Sequence, residues 1–149
     1  MTSATTISKT VFFNASPESV WLFLTDKDKL GEWYHPAEHD LEVGKDYALY
    51  RLADNGEKVR QIWGRVVEMN APNKLVTTFI IDPFGGNETT VTWVLEESAG
   101  GTRLSLIHEG IAEATGEAAM HLLMALDKGW DNHIADLRAS VEQLCRKGK

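Results

Sequence analysis

A single cysteine, Cys145, stands among the 149 residues. No intramolecular disulfide is available, and a reducing compartment is expected. Cys145 lies beside an apolar stripe near the end of the last helix and reads as a packing residue rather than a nucleophile. No stretch approaches eighteen consecutive apolar residues, and Met1 to Thr10 has no apolar h-region. The expectation is a cytoplasmic protein without membrane attachment. Basic charge is scarce as well: 15 Lys and Arg stand against 22 Asp and Glu, a net charge of −7. Phosphate backbones need a basic footprint, so nucleic acid is not an expected partner. The one basic cluster, Arg146, Lys147 and Lys149, complements the dipole at a helix C-terminus. No repeat, low-complexity tract or linker divides the chain, whose length suits one domain over residues 1–149.

What the chain does have is tryptophan, five in all, and one long amphipathic helix at its end. From about Glu117 to Arg146, Leu123, Leu126, Trp130, Ile134, Leu137, Val141 and Leu144 recur every three or four residues. That period keeps them on one helical face. Such a helix is roughly 45 Å long and needs an apolar surface of similar length. The preceding strands supply it.

Ile7 to Asn14 alternates as a first strand. Ser16-Pro17-Glu18 provides an N-cap, a first-turn proline and an early acidic residue. Val20, Trp21, Phe23 and Leu24 then form the apolar face of a helix ending near Thr25. A second short helix covers Asp28 to Trp33, with Leu30, Trp33 and Tyr34 facing inward, and His35 to Val43 is loop. Five strands follow: Asp46 to Leu52, Glu57 to Glu68, Leu75 to Ile81, Glu88 to Leu95 and Thr102 to His108. Short links such as Asp54-Asn55-Gly56 and Gly100-Gly101 imply an antiparallel meander. Gly110 to Gly116 leads into the long helix, with Thr115 as its expected N-cap. The class is α+β: six strands curved around a long C-terminal helix, with two short helices after strand 1.

The segment from Phe13 to Trp21, with Leu24-Thr25-Asp26, Leu30 and Trp33-Tyr34, resembles the opening of the SRPBCC superfamily of START-like, birch-allergen-like helix-grip domains. Within it, the chain resembles the branch named for the C-terminal domain of the activator of the heat-shock-protein-90 ATPase. Val43-Gly44, Gly64-Arg65-Val66, Pro72 to Val76, Gly101 to Leu104 and Gly129-Trp130 before Leu137 agree in order. The resemblance implies a helix-grip fold. For function it implies a range: lipid and hormone binders, polyketide cyclases and co-chaperone domains share this fold. The co-chaperones also carry a separate N-terminal domain, whereas this chain begins almost at its first strand. A chaperone is therefore a less expected partner than a small molecule.

Several residues are candidates for chemistry. His35-Pro36-Ala37-Glu38-His39 matches H-x-x-E-H, but that pattern needs a helix and Pro36 disfavours one at His35. It reads as a solvated loop, with ligand contact at a cavity mouth as the alternative. His108 shares a phase with Leu104 and Leu106 and points inward, either as a proton donor or acceptor or as a hydrogen-bonded core residue. Glu109 falls on the opposite face, at the rim. On the long helix, His133 follows Trp130 by three residues and reaches toward the interior, whereas Asp131 is solvated. Gly129 costs a helix about 1 kcal/mol relative to alanine, so its presence suggests a packing or access reason, in support of the fold or of ligand contact. A close approach of the helix to the sheet or short helices is one such reason.

A small-molecule binder is the leading expectation, with an apolar or amphipathic ligand between sheet and helix. Trp33, Phe79, Trp93, Leu126 and Trp130 are the expected walls, and His108 and His133 the polar contacts. No cofactor and no metal are expected, since no compact ligand set appears. An acid–base enzyme of cyclase or hydratase type on the same cavity is the alternative, and a protein-interaction module the third.

Overall fold

A computed structural model describes residues 4–147, with side chains as far as Gln143. Strand β1 (Ile7–Phe13) is followed by helices α1 (Pro17–Thr25) and α2 (Lys27–Trp33). Strands β2 (Asp46–Leu52), β3 (Lys58–Asn70), β4 (Lys74–Phe79), β5 (Thr89–Ser98) and β6 (Gly101–Glu109) come next. A one-turn helix α3 (Ile111–Thr115) then precedes the long α4 (Ala119–Lys147).

Local chemistry explains the starts and stops. The Ser16 hydroxyl accepts the Ser19 N–H at 3.2 Å, and Pro17 occupies the first turn of α1. Asp26 closes α1 and opens α2, its carboxylate accepting the N–H groups of Asp28 and Lys29 at 3.0 Å. Thr115 does not cap the long helix. Its hydroxyl donates to the Ile111 carbonyl at 2.8 Å, and a 3₁₀ turn at Gly116–Ala118 intervenes before α4. The expected helix start near Glu117 therefore moves to Ala119.

The six strands form one antiparallel sheet in the order β1-β6-β5-β4-β3-β2. The meander β2 to β6 is consecutive, and β1 adds to its far edge, with Ile7 opposite His108 and Phe13 opposite Thr102. Register shifts between Leu49 and Tyr50 and between Val66 and Glu68 bend β2 and β3, as bulges do. Where β3 passes from β2 to β4, Gly64 lies against Thr78. A Cβ there would fall 2.4 Å from the Thr78 hydroxyl oxygen, so no other residue fits that crossing.

The concave face of the sheet carries Leu75, Thr77, Phe79, Val91, Trp93, Leu95, Leu104, Leu106 and His108, all buried. Helix α4 lies across it through Trp130, Ile134, Leu137 and Val141, which are also buried. Leu123 and Leu126, nearer the helix start, are only half-buried. The expected stripe position Leu144, the packing reading of Cys145 and the basic cluster at Arg146, Lys147 and Lys149 fall outside the residues whose side chains are described. Asp131 is exposed as expected but not merely solvated: with Asp127 it pairs with Lys9 of β1, at 2.9 and 2.6 Å. Among the described residues, no helix is long and apolar enough to cross a membrane.

Candidate functional site

Trp130 is the centre of the interior. Its ring stands edge-on to Trp93 at 5.6 Å between centroids and is tilted against Phe79 at 5.9 Å and Tyr34 at 5.8 Å. Trp33 meets Trp93 edge-on at 6.1 Å, while its indole N–H donates to the Phe23 carbonyl at 2.7 Å and fixes α2 on α1. Offset and edge-on aromatic contacts of this kind each add roughly 0.5–1.5 kcal/mol beyond the area they bury.

Below Trp130, a chain of hydrogen bonds settles the chemistry of His108. The indole N–H of Trp130 donates to His108 Nδ1 at 3.1 Å, so Nδ1 carries no proton. The Thr89 hydroxyl donates to the Phe79 carbonyl at 2.7 Å and lies 2.8 Å from His108 Nε2. Nε2 must therefore carry the ring proton and donate it to Thr89. Burial pushes the His108 pKa down to about 3, so the ring is neutral at any ordinary pH. Both nitrogens are engaged, and neither is left for a ligand. His108 holds Trp130 and β5 in place.

Two small cavities lie on either side of the Tyr34, Ile62, Phe79 and Trp130 side chains. The inner one, about 40 Å³, is lined by Trp33, Trp93, Leu75, Val91 and Thr77 among others. The outer one, about 120 Å³, is lined by His35, Gln61, Ile81, Leu126, Gly129 and His133 as well as the shared four. A water needs roughly 10–15 Å³, and drug-sized sites run to about 300–1,000 Å³. The interior is thus narrower than the length of α4 suggested, because its aromatic walls fill it. A wider groove of about 390 Å³ runs between β1 and α4. Its rim is formed by Lys9, Asp131, Arg138 and Glu142, and Lys9 is already paired.

The expected site residues divide accordingly. Trp33 and Trp93 line the inner cavity, Leu126 and His133 the outer, and Phe79 and Trp130 both. His108 lines neither. Gly129 borders the outer cavity, and a Cβ placed on it meets no atom within 4 Å outside the neighbouring helix turns. Close approach of α4 to its neighbours is therefore not its reason.

The mouth of the outer cavity is polar. Tyr34 lies against His133 at 4.5 Å and His35 at 4.8 Å, and the two imidazoles are 6.1 Å apart. Burial lowers the pKa of both. For His35 the neighbouring His133 and Arg51 add to that effect, whereas Asp136 opposes it at His133. The Tyr34 hydroxyl is raised by burial, with Tyr47 second. His35 is half-buried, while Pro36, Glu38 and His39 of the same loop are exposed. The H-x-x-E-H spacing has no catalytic geometry: the segment is loop, Glu38 pairs with Lys58 at 3.4 Å, and His39 is exposed. Among the described residues, no group of three or more His, Cys, Asp or Glu converges as a metal site.

Tyr34, Thr89 and Gln61 were not among the expected contacts. Thr89 shares the two-residue period of Val91, Trp93 and Leu95, a signal that extends the inward face by one position. Tyr34 was legible as inward-facing, although not as the divider of two cavities. Gln61 had no signal, since the shift at Leu49 and Tyr50 changes which β3 residues face inward.

Known structures share this fold. The protein CV1439 from Chromobacterium violaceum is 28% identical, with a TM-score of 0.73 over 94% of this chain and 99% of that one. The protein MLL2253 from Mesorhizobium loti is 20% identical, with a TM-score of 0.75 over 93% and 97%. An Aha1 dimer from Colwellia psychrerythraea is 19% identical, with a TM-score of 0.72 over 92% and 96%. No curated protein shows significant sequence similarity. The family model described as "Activator of Hsp90 ATPase homolog 1-like protein" matches residues 14–142, a span that runs from the end of β1 through the buried stripe of α4, and the chain belongs to that family.

Proposed function

We propose that the protein binds a small apolar or amphipathic molecule between the sheet and α4, with the outer cavity as its entrance. Gly129 carries this reading. A helical glycine that no packing contact demands, placed where a side chain would enter a cavity, fits a position kept clear for a ligand. Phe79, Leu126 and Trp130 offer apolar area, and His133, His35 and Gln61 offer polar contacts. A ligand larger than the outer cavity requires Tyr34 or Trp130 to turn aside and join the two spaces. The lone Cys145 fits a reducing compartment such as the cytoplasm.

Native mass spectrometry of the protein purified from its own host, followed by extraction, tests the reading. A stoichiometric small molecule that is lost in Gly129→Leu supports it. An empty protein that also fails to bind aromatic probes overturns it.

A second reading, contact with a chaperone ATPase, is favoured by Met120 and Met124. They stand 67% and 66% exposed on the first turns of α4, an apolar face that the sheet does not use. Stimulation of such an ATPase, abolished by Met120→Glu with Met124→Glu, would support it; no stimulation counts against it. An acid–base enzyme on this cavity would have to use His35 or His133, because His108 is fully engaged.

A further inference from the structure

The polar groups at the outer mouth come from four separate elements. His35 from the loop after α2, Gln61 from β3 and His133 from α4 line it, and Arg51 of β2 stands beside them as the hydrogen-bond partner of Gln61. Arg51 Nε donates to Gln61 Oε1 at 2.8 Å. That bond occupies the acceptor oxygen of Gln61 and leaves its NH₂, a donor, for other partners. The remaining guanidinium N–H groups of Arg51 are donors too, and its charge is felt at His35. Each imidazole has a ring N–H to offer and gains a second on protonation. The mouth is therefore a set of donors around one permanent positive charge, on a chain whose net charge is −7. Apolar walls of Phe79, Ile81, Leu126 and Trp130 lie directly behind it.

Building on the ligand-binding reading above, we propose that the outer cavity recognises a flat aromatic monocarboxylate. Its ring system lies against Trp130 and Phe79, and its carboxylate sits among Arg51, Gln61, His35 and His133. The planar guanidinium matches a carboxylate, and a single fixed charge suits a monoanion better than a phosphate dianion. Tyr34 lies against both histidines and orients them. Asp136, one turn beyond His133, is the carboxylate acting on that ring, and it opposes the anion.

The probes are 2-naphthoate and its uncharged isostere 2-naphthamide, titrated calorimetrically into the full chain. Naphthoate is expected to bind about tenfold more tightly than the amide near neutral pH, the equivalent of one charge-assisted contact. Both histidines have lowered pKa values and are neutral at pH 7. A bound carboxylate favours their protonation, so naphthoate affinity rises as pH falls from about 8 to about 5. Amide affinity stays flat. Arg51→Gln, at an exposed position, removes most of the preference of the site for naphthoate over the amide. His35→Gln with His133→Gln removes the pH dependence.

Equal affinity for the two probes, or a preference that survives Arg51→Gln, overturns the carboxylate assignment while leaving the cavity reading intact. Failure of both probes to bind overturns the two together.

Discussion

Replacing Gly129 with alanine should stabilise the fold while narrowing the outer cavity. Glycine in a helix interior is disfavoured relative to alanine by about 1 kcal/mol, because the unfolded chain loses more freedom on folding. A clash of the added methyl group with a neighbouring element would offset that gain. Here the added Cβ meets nothing within 4 Å beyond its own helix, so no offset is expected. For a chain of this size, about 1 kcal/mol raises Tm by roughly 2–4 °C. Differential scanning calorimetry and urea titration at pH 7 measure this directly. Gly129→Leu keeps most of the propensity gain and extends a longer side chain into the space bordered by His133, Leu126 and Trp130. It should abolish 2-naphthoate and 2-naphthamide binding with no loss of stability. A fall in Tm for Gly129→Ala would refute the reasoning, since it would mean that α4 needs the glycine to approach its neighbours. Unimpaired probe binding in a stable Gly129→Leu protein would refute the placement of the ligand.

Trp130→Ala should destabilise by about 3–5 kcal/mol through loss of a buried aromatic side chain and should end probe binding, as urea and calorimetric titrations would read. Trp130→Phe keeps much of the volume but leaves His108 Nδ1 without its donor, at about 1–3 kcal/mol. Thr89→Val is nearly isosteric and removes both the donor to the Phe79 carbonyl and the acceptor of the His108 ring proton. A loss of about 1–3 kcal/mol is expected from urea denaturation, and a neutral result would break the relay. His108 gives a pH dependence of definite sign. Its folded pKa is depressed from 6.5 to about 3, so its contribution is complete above pH 6.5 and is lost as pH falls toward 3. The slope is about 1.4 kcal/mol per pH unit in that window. Stability curves of His108→Gln should lack this component while retaining whatever His35 and His133 add.

The fold was legible because its signals are periodic. Val91, Trp93 and Leu95 on β5, and Leu104, Leu106 and His108 on β6, keep one phase through regular strands, and the structure buries all six. Ser16-Pro17 named the start of α1 through chemistry confined to four residues. The site was less legible because it is assembled from pieces far apart in the chain. Tyr34 touches His133 only because α2 and α4 are both laid on the same sheet end. His35 looked like part of a loop, and it is one. Its burial comes from α4 and β2, which no local pattern around residue 35 encodes. Gly129 was singled out on energetic grounds, yet propensity alone could not separate close approach from open space. Thr115 failed as a cap because Gly116, at φ 60°, breaks the path into α4 and leaves the threonine to bond backward.

The pairing of the first strand with the last has a consequence for how the chain is made. Every residue of β1 is synthesised long before β6, its only neighbour in the sheet, where Phe13 meets Thr102 and Ile7 meets His108. At ~5–20 residues per second, that wait lasts on the order of ten seconds. During it, the meander from β2 to β5 can form by local closures, while β1 carries unpaired backbone and the apolar residues Val11 and Phe13. Helix α4 emerges later still, so the concave face lacks the cover of Trp130, Ile134 and Leu137 until that helix is translated. Contacts of such long sequence separation fold slowly and leave strand edges open to other chains. The interval of greatest exposure for this protein is therefore its own synthesis, and it closes only when the last helix docks.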